Sequence, residues 1–80
     1  MANKQIVSPL PGTFYRQSAP DKPPFKAEGD VVAIGETIGL VEVMKSFQEI
    51  QAKVEGRIIR FLIDNEEPVM AGQPIAEVES

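Results

Sequence analysis

The sequence contains neither cysteine nor histidine among its 80 residues. Without cysteine the chain has no disulfide and no thiolate nucleophile, and without histidine it lacks the side chain that most often exchanges protons near neutral pH. Zinc sites of the usual kind and Ser-His-Asp arrangements are therefore excluded within this chain. These absences argue against a self-sufficient enzyme. The lack of cysteine is also compatible with the cytoplasm, where we expect the protein to reside.

The chain also lacks a hydrophobic run long enough to span a membrane, and its N-terminal segment has no apolar signal core. Its net charge is −4, which argues against nucleic acid because the phosphates would be repelled. A hydrophobic content of 42% with 25% charged residues is ordinary for a globular protein. We therefore expect one small folded domain that interacts with neither nucleic acid nor membrane.

Short apolar segments separated by glycine and proline run through the whole sequence, and no segment has a sustained helical period. The predicted strands are residues 5–8, 12–16, 31–32, 37–43, 47–54, 56–63, 68–70 and 74–79. Within the later strands, we expect the following side chains to point inward: Ile50, Ala52, Val54, Ile59, Phe61 and Ile63. Many short strands in 80 residues predict an all-β fold, a small sandwich or flattened barrel.

An internal repeat divides the chain into two similar halves. The segment GETIGLVE at residues 35–42 resembles GQPIAEVE at residues 72–79, at an offset of 37. Upstream, GTFYR at 12–16 resembles GRIIR at 56–60, at an offset of 44. The first half therefore carries about seven extra residues between Arg16 and Val31. The repeat predicts four strands in each half, and the halves must pack on each other to bury their apolar faces.

The repeat places a tight turn at Met44 and Lys45, between the two halves. Because the second copy ends at Glu79, the equivalent Glu42 closes the first half, and the second half opens near Phe47. Two-residue hairpin turns favour positive φ, which Met and Lys adopt only at a cost. A turn that breaks local sequence preference is a candidate functional site.

These residues resemble the biotinyl/lipoyl attachment domains, in which a Met-Lys pair lies in the hairpin that joins the two halves. VEVMKSFQEI is similar to the attachment hairpin, and SPLPGTFYR, APDKPPF, EGDVVAIGETIGLVEVMK and VEGRIIRFLIDNEEPVMAGQPIAEVE follow in the family's order. The carriers of bacterial-type acetyl-CoA carboxylases are the most similar subgroup. The resemblance implies two four-stranded antiparallel sheets with a pseudo-two-fold repeat, in a single domain at residues 1–80.

The resemblance also implies the roles of residues in the hairpin 42–47. Lys45 would carry covalently attached biotin, and Glu42, Met44 and Ser46 would contact the biotin protein ligase. The family commonly has Ala before the Met-Lys pair and an apolar residue after it, whereas this chain has Val43 and Ser46. Replacing Ser46 with Met is therefore expected to raise the rate of biotinylation by a foreign ligase or to leave it unchanged.

The extra residues occupy the place of the family's thumb, a protruding loop that lies against the biotin head. The thumb comprises Gln17, Ser18, Ala19, Pro20, Asp21, Lys22, Pro23 and Pro24. Its three prolines favour a preformed, extended shape. Many family members begin this loop with a small hydroxyl residue, and Gln17 stands there in this chain.

The function implied by the resemblance is that of a non-catalytic carrier. Biotin on Lys45 would move a carboxyl group from a biotin carboxylase to a carboxyltransferase, for acetyl-CoA carboxylase and fatty acid synthesis. Alternatives are the carrier domain of another biotin-dependent carboxylase or decarboxylase, a lipoyl carrier, and an unmodified module that binds partners through Pro20-Asp21-Lys22-Pro23. Lipoyl domains usually have Asp before the lysine, whereas this chain has Met44.

Overall fold

The computed structural model describes residues 3–79, which form eight short strands. Residues 1, 2 and 80 of the predicted domain lie outside this range. The strands are β1 (Asn3–Val7), β2 (Gly12–Tyr15), β3 (Val31–Val32), β4 (Thr37–Val43), β5 (Ser46–Gln51), β6 (Gly56–Phe61), β7 (Pro68–Val69) and β8 (Pro74–Glu79). All eight predicted strands are present, three with the predicted bounds and the others with ends that differ by at most three residues. Within the described range, no helix is long and apolar enough to cross a membrane.

The strands form two four-stranded antiparallel sheets, in the orders β1-β8-β6-β3 and β5-β4-β2-β7. The prediction of an all-β fold with two such sheets is confirmed. Each sheet takes two strands from each half of the chain. The repeat makes β1 equivalent to β5, β2 to β6, β3 to β7 and β4 to β8. When each strand is replaced by its equivalent, the strand order of one sheet becomes that of the other.

The strand register follows the two offsets read from the sequence. Phe14 pairs with Val41, and the residues at offsets of 44 and 37, Ile58 and Val78, pair in the other sheet. Glycines at equivalent positions open β2 and β6, where a Cβ on Gly12 or Gly56 would overlap a backbone carbonyl oxygen of the neighbouring strand. The repeat is therefore a property of the backbone pairing as well as of the residue types.

The core lies between the two sheets and is built from equivalent positions of both halves. Complete burial of a Val, Ile or Phe side chain stabilises the fold by roughly 1.5–3 kcal/mol. A domain of 80 residues therefore depends on nearly every one of its buried apolar side chains. The buried apolar residues are Ile6, Phe14, Val32, Ile38, Val41, Ile50, Ala52, Ile58, Val69, Ile75, Ala76 and Val78.

The inward-facing positions of β6 differ from the prediction. Ile58 is fully buried, whereas Ile59, expected to point inward, is only partly buried. The ladder between β6 and β8 shifts register between Ile58 and Arg60. A strand bulge interrupts the two-residue alternation from which the prediction was made. Ile50 and Ala52 are buried as expected, while Val54, Phe61 and Ile63 pack on the margin of the core.

Candidate functional site

The hairpin between β4 and β5 presents Lys45 at its tip. Val43 pairs with Ser46, so the loop contains only Met44 and Lys45, with φ of 51° and 67°. Positive φ at both central residues is the signature of a type I′ turn. The expectation that these two residues stand in an unfavourable backbone conformation is thus confirmed. Met44 is 94% exposed, and Lys45 and Ser46 are exposed as well.

Glu42 is held beside this hairpin by Tyr15. The Tyr15 hydroxyl donates a hydrogen bond to Oε1 of Glu42 at 2.9 Å. That hydrogen bond raises the pKa of Tyr15 above its ordinary value of 10.0, and partial burial and the negative charges of Glu42 and Glu66 act in the same direction. The carboxylate is therefore fixed in place, in contrast to the free side chains of the turn.

An aromatic pair continues from Tyr15 towards the hairpin. The rings of Tyr15 and Phe47 lie 5.8 Å apart between centroids and are tilted by 58°, a favourable arrangement for two aromatic side chains. Phe47 follows Lys45 by two residues and leaves 56% of its surface exposed. A large apolar surface thus lies open immediately beside the lysine.

Residues 17–24 form a loop that is closed at its base and braced from within. A bridge joins Gln17 to Pro24, and the Lys22 amide donates to the Ala19 carbonyl at 3.0 Å. Nε2 of Gln17 donates to the carbonyls of Ala19 and Pro20 at 3.0 and 3.1 Å. The amide of Gln17 therefore stabilises the loop, a role that its position at the loop base did not reveal in the sequence.

The loop base is tied to the second half of the chain through Arg16. Its amide donates to Oδ1 of Asn65 at 2.8 Å, and its guanidinium lies over the ring of Phe61, 4.2 Å from the centroid. A cation over an aromatic face is attracted by the ring quadrupole. These contacts fix the direction in which residues 17–24 leave the sheet.

The loop and the aromatic pair enclose a cleft of about 150 Å³. Its wall combines residues from three separate parts of the chain: Tyr15, Gln17, Ser18, Ala19, Pro20, Phe47, Asn65 and Glu66. The structure thus brings the first part of the predicted thumb together with the strand that leaves the Met44-Lys45 turn. Asp21, Lys22, Pro23 and Pro24 are exposed and lie outside the cleft wall.

Sequence reasoning missed Tyr15, Phe47, Asn65 and Glu66 as members of this site. Glu66 has a φ of 67°, and the 37-residue offset aligns it with Gly29, whose φ is 93°. A glutamate aligned with a turn glycine is a signal in the sequence that could have identified this residue.

The arrangement offers an exposed amine beside a small cleft with two aromatic rings and oxygen acceptors. Such a cleft fits a compact ring that has an apolar face and N–H donors. The head of biotin has both features, so the residues present fit a biotin that is linked to Lys45. Among the residues that the structure describes, no group of three or more acidic side chains could hold a metal ion.

The chain is similar in sequence to proteins of known name. The chain is 40% identical over 75 residues to the biotin carboxyl carrier protein of acetyl-CoA carboxylase from Nostoc sp., which covers 94% of this chain and 41% of that protein. It is 39% identical over 74 residues to the protein of the same name from Streptococcus pyogenes, covering 92% and 45%. The chain thus spans less than half the length of these relatives.

The fold is similar to part of the Kluyveromyces lactis urea carboxylase, with a TM-score of 0.78 and 25% identity, over 99% of this chain and 6% of that one. The sequence profile of the biotin/lipoyl family, described as "Biotin-requiring enzyme", matches residues 4–78. Because this match covers nearly every residue of both sheets, the chain belongs to the biotin/lipoyl family.

Proposed function

We propose that this chain is a biotin carboxyl carrier domain that bears biotin on Lys45 and serves an acetyl-CoA carboxylase. The observation that carries the proposal is the hairpin tip, where Met44 and Lys45 both adopt positive φ. Glycine and asparagine would form this turn at lower cost, so the turn retains a lysine for a reason other than folding. The relatives named as carriers of acetyl-CoA carboxylase support the choice of biotin and of the enzyme.

Lys45 supplies the attachment point and takes no further part in the chemistry. A lysine amine in water is protonated at neutral pH, so a ligase must activate the biotin carboxyl group and deprotonate the amine before the amide forms. When bound, biotin supplies the nitrogen that carries a carboxyl group between two active sites. The rigid sheets under the turn place that group in a defined position.

Recognition by the biotin protein ligase is assigned to Glu42, Met44 and Ser46. Met44 projects into solvent and offers the ligase an apolar contact, while Glu42 offers a carboxylate whose position is fixed by Tyr15. Ser46 replaces an apolar neighbour with a small polar one. The three residues lie within five consecutive positions that include Lys45.

The thumb at residues 17–24 is proposed to cover the biotin head. Its internal hydrogen bonds preform the loop, so docking requires little further loss of conformational entropy. Tyr15 and Phe47 contribute aromatic rings to the same cleft that the loop lines. Together these groups would exclude water from the head while it is docked.

A carrier of this kind needs enzymatic partners. We propose that the loaded domain visits a biotin carboxylase and a carboxyltransferase and is itself non-catalytic, as a component of a multi-component carboxylase. This assignment agrees with the names of the relatives and with the lack of histidine and cysteine in the chain. The cytoplasmic location stays a prediction of the sequence.

The test is the intact mass of the chain produced together with the biotin protein ligase of its source. We expect the mass of one biotin, located at Lys45 by peptide fragmentation. Lys45→Arg should abolish the mass gain while preserving the fold, and Lys53→Arg should leave it unchanged, because Lys53 is an exposed lysine just after β5. A mass gain by lipoate, no gain at all, or biotin on Lys45→Arg would contradict the proposal.

A further inference from the structure

Glu66 lies at a turn position where the backbone has a positive φ in both halves of the chain. Its amide donates to the Phe14 carbonyl at 2.6 Å, and the equivalent Gly29 amide donates to the Ile58 carbonyl at 2.7 Å. The first half of the chain fills this position with glycine, which accepts the positive φ freely. The second half has glutamate at this position. Its positive φ is a source of backbone strain that the glycine of the first half avoids.

The two copies of the turn differ in what surrounds them. A Cβ on Gly29 would meet no atom within 4 Å, so a side chain there would point into open space. The thumb is inserted in the first half only, after Arg16, and Arg16 is tied to Asn65. Glu66 therefore lies beside the inserted loop and lines the cleft, whereas its counterpart Gly29 does not.

The carboxylate of Glu66 is available to a ligand. In residues 3–79, neither a lysine nor an arginine forms an ion pair with it, and its one side-chain hydrogen bond, from Nδ2 of Asn65, is long at 3.5 Å. An ionised carboxylate accepts about four hydrogen bonds. By contrast, the carbonyls of Ala19 and Pro20, which also line the cleft, each already accept a hydrogen bond from Gln17.

We propose that Glu66 is the hydrogen-bond acceptor that holds the ureido N–H groups of the biotin head in the cleft, with Tyr15 and Phe47 against its apolar surface. This inference rests on the proposed function. Hydrogen bonds to an ionised acceptor are stronger than those between neutral groups. The choice of acceptor also favours biotin over lipoate, because the dithiolane head of lipoate has no N–H donor.

The inference is tested on the 80-residue chain loaded with ¹⁵N-labelled biotin, by NMR of the two ureido N–H groups. We expect their exchange with solvent to be slower than in free biotin amide and their proton shifts to move downfield. Glu66→Gly preserves the backbone conformation but removes the acceptor, so exchange should return to the rate of free biotin amide. The downfield shift should be lost with it.

Glu67→Gln is the matched control. In the native chain, the Asp64 amide donates a hydrogen bond to Oε1 of Glu67 at 2.6 Å. The variant removes one negative charge from the same turn, and its glutamine side-chain oxygen can still accept this hydrogen bond. We expect native protection in this variant. Equal exchange rates in the native chain and in Glu66→Gly would overturn the inference, as would a loss of protection in Glu67→Gln equal to that in Glu66→Gly. Failure of the proposed function would be visible separately, as the absence of biotin in the intact mass before any exchange is measured.

Discussion

At the scale of single residues, the Met44-Lys45 turn holds two side chains in a backbone region that costs roughly 1–2 kcal/mol each. The β4–β5 ladder holds the turn in this conformation, because Val43 and Ser46 pair directly across it. A lysine at the first residue outside the hairpin would be exposed without any such cost. The strained turn is therefore explained by the position of the Lys45 amine and by the direction in which its side chain leaves the domain, and exposure alone does not explain it.

Replacing Met44 with Asn and Lys45 with Gly should raise the free energy of unfolding by about 1–2 kcal/mol, because Asn-Gly suits a type I′ turn. Urea denaturation of the unmodified chain measures the gain. Lys53→Gly serves as the control and should lower the free energy of unfolding, since Lys53 does not have positive φ and glycine adds entropy to the unfolded chain. Equal stability of the Asn-Gly variant and the native chain would contradict the assignment of strain.

Tyr15 is the only tyrosine of the chain, so its titration can be followed directly by ultraviolet absorbance. Its pKa should lie above 10, chiefly because of the hydrogen bond to Glu42. Glu42→Ala should lower that pKa towards 10, and Glu55→Ala should not change it. A raised pKa in the folded state stabilises the fold fully below pH 10, and this contribution is lost as pH rises through the pKa of the folded state. A pKa at or below 10 in the native chain would contradict the contact.

At the scale of the elements, β6 shows how a bulge selects the core residue of a strand. The register shift between Ile58 and Arg60 directs Ile58 into the core and leaves Ile59 only partly buried. The equivalent strand β2 buries Phe14 at the matching position. The two strands therefore contribute one large buried side chain each, on either side of the pseudo-two-fold axis.

Ile58→Ala should lower the free energy of unfolding by about 2–5 kcal/mol, because the side chain is fully buried and its loss leaves a cavity. Ile59→Ala should cost clearly less, since that side chain is only partly buried. Chemical denaturation of the two variants side by side measures the difference. The reverse order of stability would show that the register of β6 is wrong.

The thumb is an element that the core does not need. Its residues are exposed or half-buried, and its hydrogen bonds are mostly internal. Replacing residues 17–24 with a short glycine-containing turn should preserve folding and biotin attachment. We expect the attached biotin to become more mobile, as measured by NMR relaxation of the biotin group, and turnover of a reconstituted carboxylase to fall. Native mobility together with native turnover would reduce the thumb to a spacer.

At the scale of the whole molecule, the two halves of the chain are interleaved and do not form two separate units. Each sheet consists of two strands from each half, so neither half contains a complete sheet. A half alone would expose the apolar face that its partner covers. The buried cluster spans both halves for the same reason.

Fragments 1–44 and 45–80 should therefore be unfolded when separate and should regain β structure when mixed. Circular dichroism and the dispersion of amide NMR signals measure both states, with the intact chain as reference. The break falls within the two-residue turn, so it removes no strand residue. A folded spectrum from either fragment alone would contradict the interleaved arrangement.

The sequence by itself determined the all-β class, the two offsets of 37 and 44 residues, the insertion after Arg16 and the exceptional turn at Met44-Lys45. Each of these rests on local chemistry: glycine and proline end strands, apolar residues mark faces, and backbone preference is a property of one residue at a time. The turn that contains Lys45 and the inserted loop at residues 17–24 were therefore accessible to sequence reasoning, as was the burial of Ile50 and Ala52.

Only the tertiary structure decided which sheet each strand joins, that Ile58 is buried in place of Ile59, and that Tyr15, Phe47, Asn65 and Glu66 surround one cleft. An apolar face shows that a strand needs a partner without naming the partner, and a bulge depends on the strand that lies beside it. The cleft combines residues from segments around positions 15–20, 47 and 65–66. Their meeting depends on the interleaved pairing of the two halves, which no local pattern contains.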